Sequence, residues 1–184
     1  MIEIVGKGAI ACALERANAA GQLNTGIDRT FFAAGVSNPN ETNLSQFYRE
    51  LMLLLEQKRQ GKNQQLVYFS TLGVLSTDDR MYFRHKRTIE GIIIDNFPLY
   101  CIARLGILIE SAEAERKNPH TTINFLRGCL KAGTSFSLRN VSRNVVEEKE
   151  FIEQINNLPI VKGVVNINGT TMTEKQMFDK YVNT

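Results

Sequence analysis

The chain has 184 residues and a mass of 20.8 kDa, enough for one domain whose core needs neither metal nor disulfides. Hydrophobic residues make up 43% and charged residues 22%, which excludes wholesale disorder, and the longest apolar runs, Gly91–Ile94 and Leu105–Ile109, are far too short to span a membrane. A net charge of +3, with basic residues scattered among acids, gives no basic face for nucleic acid; a pI of 8.8 and the group Arg84, Lys86 and Arg87 are all that points that way.

Ile2–Val5 is a β-branched run that ends in a glycine turn, the start of a domain rather than a signal peptide. Ala9–Ala20 follows as a helix, with Ile10, Leu14 and Ala17 at helical spacing and Gly21 closing it. Thr30–Gly35 is a second strand with a small-residue exit, and Ser37-Asn38-Pro39-Asn40 is turn chemistry before a long amphipathic helix, Leu44–Lys58. Gln65–Ser70 is a third strand, Met81–Asp95 a helix, and Leu99–Arg104 a fourth strand after Pro98. The spacing then predicts a helix over Thr121–Lys131, a short strand over Thr134–Leu138, a helix near Glu148–Asn157 after Val145-Val146, and a last strand over Gly163–Ile167. Thr173 caps a final helix, Glu174–Tyr181. Strands alternate with helices, so the expected fold is α/β, a Rossmann-like three-layer sandwich with a mostly parallel sheet.

Cys12, Cys101 and Cys129 sit among apolar residues at no metal-ligand spacing, and their odd number suits reduced thiols in the cytoplasm, buried in the core. His85 and His120 have no ligand partners at a useful spacing, so no metal is expected.

In parallel sheets ligands lie beyond the carboxyl ends of the strands, so the chemistry is sought there. Gly6-Lys7-Gly8-Ala9-Ile10-Ala11 has the form G-x-G-x-x-A between a strand and a helix. Glycines let backbone N–H groups approach a pyrophosphate, and the helix N-terminus adds partial positive charge. The third strand exits at Ser70-Thr71, and twelve residues after Ser70 stands Tyr82, followed four residues on by Lys86. On a helix that spacing places a phenol and an ammonium on one face, and the ammonium favours the phenolate.

These residues, in this order, resemble the extended short-chain dehydrogenase/reductases, specifically the NAD-dependent nucleotide-sugar epimerase/dehydratase family. Cys101–Gly106 is similar to the family's strand after the active-site helix, and Val164-Val165-Asn166-Ile167 to its late strand. The resemblance implies Tyr82 as the acid/base, Lys86 as ligand of the nicotinamide ribose and modulator of Tyr82, and Ser70 or Thr71 as hydrogen-bond partner of the reacting oxygen. It implies that Gly6, Lys7, Gly8, Ala9, Ile10 and Ala11 face the pyrophosphate of NAD or NADP. Ala33, Ala34 and Gly35 pass beneath that cofactor, and Ser37, Asn38, Arg104 and Arg143 stand toward a sugar-nucleotide substrate.

The chain departs from the family in one respect. About two dozen residues separate Gly8 from Ala33, enough for one helix where the family has two further strands. Much of the adenosine pocket is therefore expected to be missing, with weakened or absent dinucleotide binding as one consequence. Asp28 lies at a suitable distance from Gly8 to read the ribose, but it precedes a strand instead of ending one. The substrate-side annex is expected over residues 110–146 and 168–184 of a single domain. Two readings follow: an NAD(P)-dependent epimerase, dehydratase or reductase acting on a sugar nucleotide or related hydroxyl/keto compound, or a non-enzymatic binding or assembly module with the same fold. Phe47, Leu51, Leu54 and Leu55 on one helix, with Ile89, Ile92, Ile93 and Ile94 on the other, exceed what one sheet face needs, and the resemblance implies a homodimer through these helices.

Overall fold

The computed structural model describes residues 1–24, 26–60, 64–109 and 122–183. Five strands, β1 (Ile2–Val5), β2 (Arg29–Phe32), β3 (Gln65–Thr71), β4 (Tyr100–Leu105) and β7 (Gly163–Ile167), form one parallel sheet in the order β1-β2-β3-β4-β7. Helices α1 (Ala9–Ala19) and α5 (Glu148–Asn156) cover one face; α2 (Leu44–Arg59) and α3 (Met81–Asn96) cover the other. The fold is α/β and Rossmann-like, as the alternation of elements predicts. Among the described residues no strand intervenes between α1 and β2, and β1 pairs directly with β2, Val5 opposite Phe32.

The inner strands are apolar throughout because both of their faces are covered. Phe31, Val67, Phe69, Cys101 and Ala103 point toward Leu14 and Ala17 of α1 and Phe151 and Ile155 of α5. Their neighbours Phe32, Tyr68 and Ile102 point the other way, against Leu54, Ile89 and Ile93. Most of the apolar surplus expected on α2 and α3 is thus used inside one chain. Phe47, Leu54, Ile89 and Ile93 are buried and Leu51 and Ile92 half-buried, leaving Leu55 and Ile94 exposed; Leu44, Tyr48, Met52 and Met81 join them at the surface.

A second, three-stranded sheet of β5 (Ile107–Ile109), β6 (Ser142–Glu147) and β8 (Thr170–Thr173) carries α4 (Thr122–Lys131) and α6 (Glu174–Tyr181). β6 runs parallel to β5 and antiparallel to β8. It has its own cluster around Ile123, Leu126, Val145 and Met177. Thr173 caps α6 reciprocally with Gln176. Two expectations need correction. Thr134–Leu138 is not a strand; Phe136 and Leu138 pack as loop residues on that cluster. Val145-Val146 belongs to a strand, β6, and is not merely a lead into α5. The expected annex segment 110–121, and the helix start at Thr121, lie outside the described residues.

Only Cys101 of the three cysteines is fully buried, and burial pushes its thiol up to about 11; Cys12 and Cys129 are half-buried, and all three are free thiols. Among the described residues no helix is long and apolar enough to cross a membrane.

At the amino ends of the strands Arg29 is buried, with no carboxylate partner among the described residues. Its guanidinium donates from Nε to Gln65 Oε1 (3.0 Å), and from its two Nη atoms to the carbonyls of Ile155 (3.2 Å) and Leu158 (2.7 Å). These carbonyls lie in the last turn of α5 and just beyond its end, where a cation is favourable. Arg29→Met is expected to cost about 3 kcal/mol, since two buried carbonyls lose their donor. Hydrogen exchange should then show α5 amides opening ahead of those in α2 and α3.

Candidate active site

The site is built from the carboxyl ends of β1, β2 and β3. At the first, Gly6 adopts φ +140°, and a Cβ there would lie 2.5 Å from the Ala33 carbonyl group. Glycine is required on both counts. The close approach seats the β1–α1 turn on the backbone of Ala33 and Ala34, so the two segments predicted to line a cofactor are packed together. Gly8 is the N-cap of α1, in extended conformation, with no side-chain cap and no acid in the first turn. A Cβ at Gly8 would meet nothing within 4 Å. Lys7 is exposed beside it, Ile10 is half-buried, and Ala9 and Ala11 are buried. The open helix end fits a pyrophosphate group.

Beyond β2 the chain continues as Ala33-Ala34-Gly35, past the strand's end at Phe32. Ser37 and Asn38, with Gly35, Glu41, Gln46 and Arg49, line a polar cavity of about 140 Å³. Arg49 helps to hold this turn by donating to the Ala34 carbonyl (3.0 Å).

At the end of β3 it is Thr71, and not Ser70, that bears on the tyrosine, as a nearby hydroxyl that favours the Tyr82 phenolate. Thr71 Oγ1 accepts from Gly73 N–H (3.2 Å). Ser70 is buried, and its hydroxyl has no hydrogen-bond partner among the described residues. Tyr82 and Lys86 lie on one face of α3. Tyr82 packs with Val36, Phe47 and Phe83 and is only 7% exposed.

The residue that sequence reasoning missed is Glu50. Its carboxylate is fully buried and accepts four hydrogen bonds. Oε1 takes Tyr68 OH (2.6 Å) and Lys86 Nζ (3.0 Å); Oε2 takes Val36 N–H (2.7 Å) and His85 Nε2 (3.1 Å). Lys86 also donates to Tyr68 OH (3.0 Å). This network lies directly below Gly35, where a Cβ would stand 2.6 Å from Lys86 Nζ and 2.8 Å from Glu50 Oε1. The available signal was a charge between Phe47 and Leu54 on the apolar face of α2.

These contacts set the electrostatics. Burial would raise the Glu50 carboxyl, but Lys86 and the hydrogen bonds from His85, Tyr68 and Val36 hold it well below the usual carboxylate range. Tyr68 is pushed well up by burial and by Glu50. Tyr82 is raised too: burial and Glu50 outweigh the opposing pull of Lys86 and Thr71. The lowered phenol expected beside Lys86 is therefore corrected, because burial of Tyr82 opposes the phenolate and Glu50 offsets part of the pull of Lys86.

The remaining candidates, Arg104 and Arg143, are engaged with other carboxylates. Arg104 is bound in a two-pronged pair to Glu90 of α3 (3.1 and 2.6 Å). Arg143, on β6, has its guanidinium 3.8 Å from Glu174 of α6. Arg139 donates to that same carboxylate at 2.7 Å.

No protein-family model and no curated protein matches the chain. Solved structures do. The UDP-N-acetylglucosamine 4-epimerase from Bacillus cereus aligns with 99% of this chain and 80% of its own, at 18% identity and a TM-score of 0.73. The Bordetella bronchiseptica enzyme WbmG, in complex with NAD and UDP, aligns with 99% and 77%, at 15% identity and a TM-score of 0.70. The UDP-glucuronic acid 4-epimerase from Bacillus cereus, in complex with UDP-glucuronic acid and NAD, aligns with 97% and 72%, at 14% identity and a TM-score of 0.66. At these identities the likeness defines the class of fold, a Rossmann-like sandwich shared with nucleotide-sugar epimerases.

Removing the Glu50 charge alone leaves a buried ammonium. Glu50→Leu is expected to cost about 3–5 kcal/mol, with most of that restored in Glu50→Leu/Lys86→Met. Because the folded pKa of Glu50 lies below its unfolded value, its stabilisation is complete above the unfolded carboxyl pKa and fades as pH falls below it. Urea unfolding from about pH 6 to pH 3 should therefore show a steeper acid loss in the native chain than in the double variant.

Proposed function

We propose that the chain is an NAD(P)-dependent protein of the short-chain dehydrogenase type, acting as an epimerase, dehydratase or reductase on a sugar nucleotide or related hydroxyl/keto substrate. The observation that carries this reading is the placement of Thr71, Tyr82 and Lys86. The tyrosine ring centroid is 5.9 Å from the ammonium, Thr71 bears on its phenol, and the ammonium lies under Gly35, next to the Ala33–Ala34 backbone on which the Gly6 turn rests. When bound, the nicotinamide supplies hydride chemistry at the substrate carbon. Tyr82 holds or moves the proton at the substrate oxygen, and Thr71 orients both oxygens. Lys86 lies within reach of a ribose crossing Gly35. The turn Gly6–Ala11 takes the pyrophosphate with backbone N–H groups and Lys7. Ser37, Asn38 and Arg143 stand toward the substrate, whereas Arg104 acts through its pair with Glu90.

A second reading, a non-catalytic nucleotide-binding or assembly module, is favoured by one observation: Glu50 already engages Lys86. Thermal unfolding with NADH, NADPH and UDP-sugars separates the two from a protein that binds no nucleotide, since a ligand of the native state raises Tm. With no strand between α1 and β2 to carry an adenosine-reading side chain, reduced nicotinamide mononucleotide should stabilise nearly as well as NADH. Tyr82→Phe is expected to lower turnover about 100-fold or more while leaving the Kd for NADH almost unchanged. Unchanged turnover would leave the binding module as the better account.

The exposed stripe Leu44, Tyr48, Met52 and Leu55 on α2, with Met81 and Ile94 on α3, supports a homodimer through these helices. Light scattering at micromolar concentration should give about twice 20.8 kDa, and Tyr48→Glu/Met52→Glu should give the monomer.

A further inference from the structure

We propose that Glu50 is a positioning residue that holds the Lys86 ammonium beneath Gly35 and offsets much of its charge toward Tyr82, adding to burial in keeping Tyr82 a protonated, hydrogen-bond-donating phenol. This rests on Thr71, Tyr82 and Lys86 being the reacting set.

An ammonium beside a tyrosine favours the phenolate, against the effect of burial. Here the ammonium, on a residue 2% exposed, is 3.0 Å from a carboxylate on a residue 0% exposed, and the pair carries no net charge. What reaches Tyr82, whose ring centroid is 5.9 Å from Nζ, is the field of a dipole and not that of a cation.

The groups around the pair come from every adjoining element. Glu50 comes from α2, Tyr68 and Thr71 from β3, and Tyr82 and His85 from α3, while the Val36 N–H follows β2. Glu90 also bears on Tyr68, and Arg104 pairs with it. Tyr68 contributes no charge of its own, since its phenol donates to Glu50. Glu50 is thus the negative group bonded directly to Lys86, and its four hydrogen bonds leave it no freedom to move aside. Gly35 completes the arrangement, because any side chain there would displace the ammonium or the carboxylate.

NMR of protein labelled with 13C at tyrosine Cζ follows each of the five phenols through its ionisation, and Tyr82→Phe identifies the signal of interest. Glu50→Gln should move the Tyr82 midpoint down by about one pH unit or more, and Lys86→Met should move it up by a similar amount. Glu50→Gln/Lys86→Met should bring it back close to the wild-type value. A contact that merely stabilised the fold would leave the midpoint in place in any variant that folds. An unmoved or raised midpoint in Glu50→Gln overturns the proposal. If neither single variant folds, the double variant decides: a midpoint near wild type supports cancellation, and one displaced by about a unit or more overturns it. The titration needs no cofactor. Failure of NADH and NADPH to bind would overturn the functional reading above while leaving this measurement intact.

Discussion

The candidate site depends on a carboxylate buried between two helices and the sheet. Each oxygen of Glu50 accepts two hydrogen bonds, and the donors come from the β2 exit, from β3 and from α3. A lone buried carboxylate would be costly; one with four donors and an adjacent ammonium is not. The same pairing is what allows Lys86 to be buried. Because Glu50 sits on α2, it ties that helix to the turn after β2 and to the tyrosine helix at the same point. The floor below Gly35 is therefore rigid, and the spacing between Thr71, Tyr82 and Lys86 is maintained by a network that none of the three would define alone.

Sheet topology supplies the other constraint. With β1 paired directly to β2, the glycine turn after β1 lies against the next strand's exit, and Gly6 is compatible with that contact only because it has no side chain. The glycine turn and the Ala33-Ala34-Gly35 segment become neighbours, with no strand between them among the described residues. The same economy removes the strand ends from which an adenosine would ordinarily be read.

Two buried cations, at opposite ends of the sheet, are stabilised by different means. Arg29 has neutral partners only among the described residues: a glutamine side chain and the carbonyls at the end of α5. Its charge serves a helix end, and its role is structural. Lys86 is matched by a full negative charge, which leaves an electrically neutral pair next to a tyrosine. A charge needed only for packing can remain uncompensated by an anion, whereas one beside an ionisable phenol changes the balance between its two protonation states.

Much of this was legible in the sequence. β-branched runs alternating with amphipathic helices define the layers and the parallel sheet, because burial on both faces demands apolar strands and helical spacing demands Tyr82 and Lys86 on one side of α3. The shortness of the stretch between Gly8 and Ala33 likewise implies the missing strands. Three-residue β5 and polar β8 carry too little periodicity to be recognised, and Phe136 and Leu138 look like a strand while packing as a loop. The choice of Thr71 over Ser70, and the partnership of Glu50 with Lys86, were decided by tertiary structure alone. Successive residues of a strand face opposite ways, so only the placement of α3 selects which hydroxyl meets Tyr82. Glu50 and Lys86 are far apart along the chain, and it is the packing of α2 beside α3 that makes an isolated glutamate the counter-charge of the lysine.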